Sequence, residues 1–262
     1  MEQNNELSTI IKLEKVSFSY KDKEILKGLD LEIEKGKITT ILGSNGSGKS
    51  TLFYLMTKAL KSYRGNIYLE GKNIKDIGLK EFSKKVSLIQ QTNNVIEGIS
   101  IEELVFLGRT PYKKLLASNT DLDIKITEWA MKVTDIYDLK DRDISKLSGG
   151  QRQRAWIAMA LAQDTEILFL DEPTTFLDIR YQIEILELIK KLNREHGKTI
   201  VMVLHDINQA IHYSDNIIGL KDGNIVMQGR ANVAIDEDRV EKIYGLKLKI
   251  ADVHGKKYVL TS

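Results

Sequence analysis

The stretch Gly43-Ser44-Asn45-Gly46-Ser47-Gly48-Lys49-Ser50 decides the reading of this chain. It fits the phosphate-loop pattern G-x-x-x-x-G-K-[ST]. On its N-terminal side, Lys37-Ile38-Thr39-Thr40-Ile41-Leu42 is a β-branched apolar run that reads as a buried strand. On its C-terminal side, Thr51-Leu52-Phe53-Tyr54-Leu55-Met56 continues as a helix. Strand, glycine loop and helix in that order are what the motif needs. The glycines let consecutive backbone N–H groups turn inward around phosphate oxygens, and the helix start adds partial positive charge at the same point. Lys49 is placed for the β- and γ-phosphates, and the Ser50 hydroxyl for Mg²⁺. A glycine-rich turn ahead of a core helix is the plainer alternative, and the context on both sides argues against it.

Upstream of the loop the chain reads as strands. Residues Ile10 to Tyr20 alternate loosely, Lys21-Asp22-Lys23-Glu24 reads as a charged turn, and Leu29-Asp30-Leu31-Glu32-Ile33-Glu34 alternates cleanly, with one face core and one wet. This opening predicts a small antiparallel sheet laid against a nucleotide core. Tyr20 closes the first strand. From the residues alone it is either an ordinary strand aromatic or a ring that stacks on adenine.

The composition sets limits. The chain has 262 residues, 42% hydrophobic and 29% charged, which suits a globular protein with a substantial core. A net charge of +2 offers no basic field for nucleic acid. There is no cysteine, so disulfides are excluded, and a cytosolic setting is consistent with that. The polar start, Met1-Glu2-Gln3-Asn4-Asn5-Glu6, is unlike a signal peptide, and no apolar run approaches the ~20 residues of a membrane span.

Downstream, Gly65–Gly71 and Lys84–Gln91 read as strands, the latter ending in Gln90 and Gln91. Ser100 and Glu103 form a capping-box pattern, and the chain from there to about Ala162 reads as mostly helical. Thr127–Val133 is an expected helix, Lys113–Asp123 an expected exposed connection, and Pro111 a helix end. Roughly residues 91–160 are expected to be a helical subdomain inserted into the nucleotide core. Lys146-Leu147-Ser148-Gly149-Gly150-Gln151 opens a helix from Arg152 to Ala162, and two glycines at a helix start again suit phosphate. Thr165–Glu172 is an apolar strand ending in two carboxylates. In a parallel sheet, ligands bind at the carboxyl ends of strands. Asp171 is therefore placed for Mg²⁺ and Glu172 for polarising an attacking water. Gln182–Leu192 reads as a helix and Lys198–Leu204 as a buried strand, ending at His205-Asp206, where a γ-phosphate contact is expected. His196, His212 and His254 lack such placement. Ile217–Leu220 and Asn224–Gln228 predict a hairpin. The tail from about residue 231 predicts a short helix near Arg239–Tyr244 and a strand pair, Lys247–Ile250 with Lys257–Leu260, packed on the core.

Taken together, these segments resemble the nucleotide-binding subunit of an ABC transporter over almost the whole chain. Leu147-Ser148-Gly149-Gly150-Gln151 matches the family signature without a substitution. Asp171-Glu172-Pro173-Thr174-Thr175 and Phe176-Leu177-Asp178 match the Walker B end and D-loop, His205 the switch histidine and Tyr20 the adenine-stacking aromatic. Gln91 aligns with the Q-loop residue because Thr92–Ile99 continues as that loop does. Gln90 stands where many relatives have proline, which leaves the choice between the two glutamines open.

The resemblance implies a P-loop NTPase of α/β class with a RecA-like core, an N-terminal antiparallel β subdomain and an inserted α-helical subdomain, all in one domain over 1–262. It implies ATP and Mg²⁺ as cofactors. Gly43, Ser44, Asn45, Gly46, Ser47, Gly48, Lys49, Ser50 and Thr51 would hold the phosphates, with Tyr20 on the base. Ser50, Gln91 and Asp171 would hold Mg²⁺. Glu172, His205 and Gln91 would act in hydrolysis. A second copy would supply Ser148, Gly149, Gly150, Gln151 and Asp178 in an ATP sandwich. Two transmembrane permease subunits and, indirectly, a solute-binding protein complete the implied assembly at the cytoplasmic face of the membrane, with no nucleic acid.

Gly98–Tyr112, Ala158–Thr165 and Leu204–Ala210 are similar to the ATPases of ferric-siderophore, haem and cobalamin importers, and ferric siderophore is the expected cargo. Importers of manganese, zinc or phosphate are the alternatives within transport. Relatives acting on DNA carry a long coiled coil between phosphate loop and signature, and the short interval from Ser50 to Leu147 has none. Those acting on ribosomes resemble two tandem cassettes, where this chain has one.

Overall fold

The computed structural model describes residues 9–91, 97–113 and 118–260. The chain folds as two compact units. One takes the chain up to Ile77 and again from Thr199, and the other takes Gly78–Lys198.

The first unit begins with β1 (Thr9–Tyr20) and β2 (Lys23–Glu34), an antiparallel pair with Leu13 opposite Leu31 and Ile11 opposite Ile33. The alternation along β2 is now explained. Leu29, Leu31 and Ile33 are buried while Asp30 and Glu32 face out. β2 begins at Lys23, earlier than the alternation suggested, so Lys23 and Glu24 are ladder residues and not turn. Next come β3 (Ile38–Gly43), buried at every position, and α1 (Lys49–Met56). β4 (Arg64–Leu69) and β5 (Lys72–Asn73) complete an antiparallel sheet in the order β2-β1-β4-β5.

In the second unit the chain forms α2 (Leu79–Phe82), β6 (Val86–Ile89), α3 (Ile101–Leu107), α4 (Asp121–Val133), α5 (Gly149–Ala162), β7 (Ile167–Asp171) and α6 (Ile179–His196). β6 and β7 pair in parallel, and α3 and α4 both pack on α5. The Ser100 capping box forms as read: its Oγ accepts from Glu103 N, and Glu103 Oε2 accepts from Ser100 N.

The expected exposed connection over Lys113–Asp123 needs correcting. Residues 114–117 lie outside the described residues, as do 92–96 of the Q-loop continuation. Helix α4, however, already starts at Asp121, one turn and more before the expected Thr127. Thr120 caps it, and Asp123 completes a second capping box while buried against Arg109. A cap made by a threonine and an aspartate looks like loop in sequence because its polar atoms point back at the backbone instead of out to water.

The chain then returns to the first unit with β8 (Thr199–Val203), α7 (Ile207–Tyr213), β9 (Asn216–Lys221), β10 (Asn224–Arg230), α8 (Ala231–Ala234), α9 (Glu237–Tyr244), β11 (Lys249–Val253) and β12 (Lys256–Leu260). Four strands lie in the order β10-β9-β3-β8, with β3 parallel to both β8 and β9. This places the phosphate-loop strand centrally, buried on both faces, as a near-continuous apolar run requires. The tail forms the expected hairpin, β11 against β12.

Candidate nucleotide site

The phosphate loop leaves β3 and enters α1 through Gly48, whose φ of 105° is one that L side chains rarely adopt. No side chain caps α1, and its first turn carries no acidic residue. The helix start is therefore open to an anion. Lys49 is buried, and its Nζ donates to the Gly43 and Ser44 carbonyls at 2.9 and 3.1 Å, so the ammonium lies along the inner curve of the loop. The loop is braced from the β9–β10 turn: Gly223 N donates to Ser47 O at 3.1 Å, and Lys27 N donates to Gly223 O at 3.0 Å. Ser50 is exposed, Thr51 buried. Tyr20, at the end of β1 in the same unit, is half exposed and meets Phe18 edge to face at 4.7 Å, leaving a ring face open for stacking. His205 follows β8 and is exposed, and Asp206 behind it caps α7.

The second unit carries the other motifs. β7 is buried throughout and ends at Asp171, itself 3% exposed. Glu172 follows with φ 51°, a left-handed conformation that turns its carboxylate out of the strand direction. Glu172 Oε2 accepts from Gln91 Nε2 at 2.5 Å and from Thr175 Oγ1 at 3.0 Å. Gln91, the glutamine aligned with the Q-loop residue, is thus joined to the carboxylate. Thr175 was missed as a site residue. Its signal was its place three residues after Glu172, the spacing of a turn that folds back, and Thr175 N does donate to Glu172 O at 3.2 Å.

Ser148 caps α5 through a capping box with Gln151. Ser148 and Gly149 are exposed, and the first turn of α5 has no acidic residue. Gly150 is buried against α6. A Cβ there would meet the Tyr181 ring at 2.5 Å, so the second signature glycine is required by helix packing. Asp178 caps α6, its Oδ1 accepting from Tyr181 N at 3.1 Å.

Within the second unit, Arg109 ties α4 to the end of α5. Its Nε pairs with Asp123 Oδ1 at 2.8 Å, one Nη donates to Ala162 O at the end of α5, and the guanidinium covers the Tyr112 ring at 4.1 Å. Burial pushes the Asp123 carboxyl up, but hydrogen bonds from Arg109 and Thr120 outweigh it and hold the group at about 2.

Phosphate loop, signature and Walker B end occur here in one chain, each on the element it needs. The family model of the ABC transporter matches residues 26–175. The chain belongs to the ABC transporter family. It is an ABC-type ATPase with the P-loop NTPase fold, whose hydrolysis of ATP is coupled to transport. The cassette is 42% identical to the iron(3+)-hydroxamate import ATP-binding protein FhuC of Bacillus subtilis, over 94% of this chain and 90% of that one. It is 41% identical to the ferric enterobactin transport ATP-binding protein FepC of Escherichia coli, over 91% and 88%. The dimeric structure of MJ0796, a bacterial ABC transporter cassette, superposes with a TM-score of 0.73 at 34% identity, covering 84% of this chain and 98% of that one.

Proposed function

We propose that this cassette powers import of a ferric siderophore, working as one of two copies that close head to tail around two ATP molecules. The observation that carries the cargo is the likeness to two ferric-siderophore ATPases at about equal identity over nine-tenths of each chain. Those two serve chemically different ligands, a hydroxamate and enterobactin, so the shared class is iron chelate and not one siderophore. Two membrane permease subunits would receive the motion, with a solute-binding protein delivering cargo to them. The cassette would sit peripherally at the inner membrane face, and no helix among the described residues is long and apolar enough to cross a membrane.

The residues fit ATP and Mg²⁺. An uncapped, acid-free helix start and a buried ammonium suit a triphosphate. Mg²⁺ binds through one or two protein groups and takes phosphate and water oxygens for the rest. Ser50, Asp171 and Gln91 would hold it, and the ion would neutralise charge developing on the phosphates.

In this reading, the loop from Gly43 to Thr51 binds the phosphates and Tyr20 stacks on the base. Lys49 turns from the loop carbonyls to the β- and γ-phosphates. Glu172 orients the attacking water, with Gln91 and Thr175 fixing its carboxylate. His205 reads the γ-phosphate. The partner copy contributes the exposed Ser148 and Gly149, the start of α5 with Gly150 and Gln151, and Asp178. Positioning and charge stabilisation do the work, since phosphoryl transfer asks little covalent chemistry of the protein.

The test is uptake of radiolabelled iron supplied as a panel of ferric siderophores, beside haem and cobalamin, in cells making this protein or only Glu172→Gln. Loss of uptake for a siderophore class is expected. Undiminished uptake of every compound in the variant would remove the iron reading.

A further inference from the structure

His205 and Asp206 end the β8 segment, and α7 starts directly behind them. Asp206 caps that helix, its Oδ1 accepting from Asn208 N at 2.7 Å and Gln209 N at 3.0 Å. Asn208 is therefore bonded, through its own backbone, to the residue next to His205. Its side chain is bonded elsewhere. Nδ2 donates to Val259 O at 3.0 Å, and Oδ1 accepts from Val259 N at 2.8 Å. The carboxamide takes the place of a neighbouring strand's peptide group and satisfies both backbone groups of one residue of β12. Because Val259 offers one donor and one acceptor, the amide has a single orientation that makes both bonds.

The hairpin that supplies Val259 is anchored independently. Lys257 Nζ donates to Ile235 O at 2.6 Å, and Ile250 N donates to Glu237 Oε1 at 3.2 Å. Val259 itself is 3% exposed. One turn further along α7, the His212 ring lies 4.5 Å from that of Tyr258. Hydrogen bonds lose strength steeply off axis, so a two-bond amide clamp resists both rotation and sliding of α7. Rotation or sliding of α7 would carry Asp206 and His205 with it.

We propose that Asn208 is a positioning residue for His205, and that the C-terminal hairpin is the fixed frame against which it works. The tail then sets the register of the turn that presents His205 to the γ-phosphate. This rests on the assignment of His205 given above. Binding of ATP belongs to the phosphate loop, so loss of the clamp reaches turnover and not affinity.

The test measures ATP turnover and equilibrium binding of a non-hydrolysable ATP analogue in the purified full chain. Asn208→Ala is expected to lower kcat about 5- to 20-fold, the scale of coupling between bonded neighbours, with KM and analogue affinity within about twofold. Val259→Pro removes the N–H that Asn208 accepts while leaving α7 unchanged in sequence, and is expected to reproduce the effect. It also serves if Asn208→Ala fails to fold. On a His205→Ala background, Asn208→Ala is expected to add less than about twofold, since both changes remove one function. Wild-type kcat in Asn208→Ala and Val259→Pro would overturn the proposal. So would a rise in KM alone, or a kcat loss that multiplies in full on the His205→Ala background. Wild-type turnover of His205→Ala would overturn the assignment of His205 itself, and the proposal with it.

Discussion

Gln91 Nε2 donates to Glu172 Oε2 over 2.5 Å, joining the residue two positions after β6 to the residue that follows β7. These two strands are parallel neighbours, so their C-terminal ends lie side by side. A side chain that leaves one end is brought to the other by the sheet itself. The bond couples a glutamine on a loop to the carboxylate proposed to orient water. Gln91→Ala should therefore lower ATP turnover by about 10- to 100-fold, the scale for losing a group that orients a reactive ligand. Gln90→Ala should leave turnover within about twofold. Steady-state ATPase assays of both variants check this, and equal losses would undo the distinction.

Glu172→Gln should retain ATP binding and turn ATP over at least ~100-fold more slowly, the scale for losing a positioned acid–base group. The amide keeps the carbonyl oxygen that accepts from Gln91 and Thr175, so the turn should survive while the charge is lost. Binding of labelled ATP alongside phosphate release measures the two separately. Wild-type phosphate release would remove Glu172 from the chemistry.

The second signature glycine is governed by packing. A methyl at Gly150 would lie 2.5 Å from the Tyr181 ring, so Gly150→Ala should destabilise the cassette by about 1–3 kcal/mol, the cost of overpacking. In a Tyr181→Ala background the same change should cost under about 0.5 kcal/mol, because its obstacle is gone. Urea denaturation of the four proteins closes the cycle. Equal costs in both backgrounds would mean that Tyr181 is not what excludes a side chain.

Acid should act on the Arg109–Asp123 pair. The Asp123 carboxyl lies at about 2 in the folded chain, below its ordinary value of 3.8. A depressed carboxylate contributes stability above its unfolded pKa and loses it as pH falls through the folded one. The window is therefore about pH 4 down to pH 2, and the contribution at neutral pH is about 2 kcal/mol. Asp123→Asn should cost about the same at pH 7, about 2 kcal/mol, because the neutral amide, like the protonated acid, leaves the buried Arg109 guanidinium without its counter-charge. Denaturant unfolding against pH should show the two proteins converging below pH 4. A constant gap down to pH 2 would rule the linkage out.

Much of this protein was legible before any fold was known. The phosphate loop, the Ser148–Gln151 signature, the Asp171–Glu172 strand end and the alternation of Leu29, Leu31 and Ile33 are contiguous. Each carries its geometry in its own backbone: glycine torsions, helix starts, a two-residue period. Gln91 was aligned with the Q-loop residue from the run that follows it, but its bond to Glu172 was not legible, because that bond spans 81 residues and parallel strand pairing creates it. The burial of Asp123 escaped for a similar reason: its partner Arg109 lies 14 residues earlier in the chain, and a polar run reads as loop until the counter-charge is placed. The tie from Asn208 to Val259 spans 51 residues and has no local signature, since a carboxamide reveals the strand it mimics only when that strand lies beside it. Local chemistry needs only neighbours along the chain, and so the sequence determined which segments bind phosphate and end in carboxylates. Which side chain orients, buries or clamps another is a matter of approach in space, and tertiary structure alone decided it.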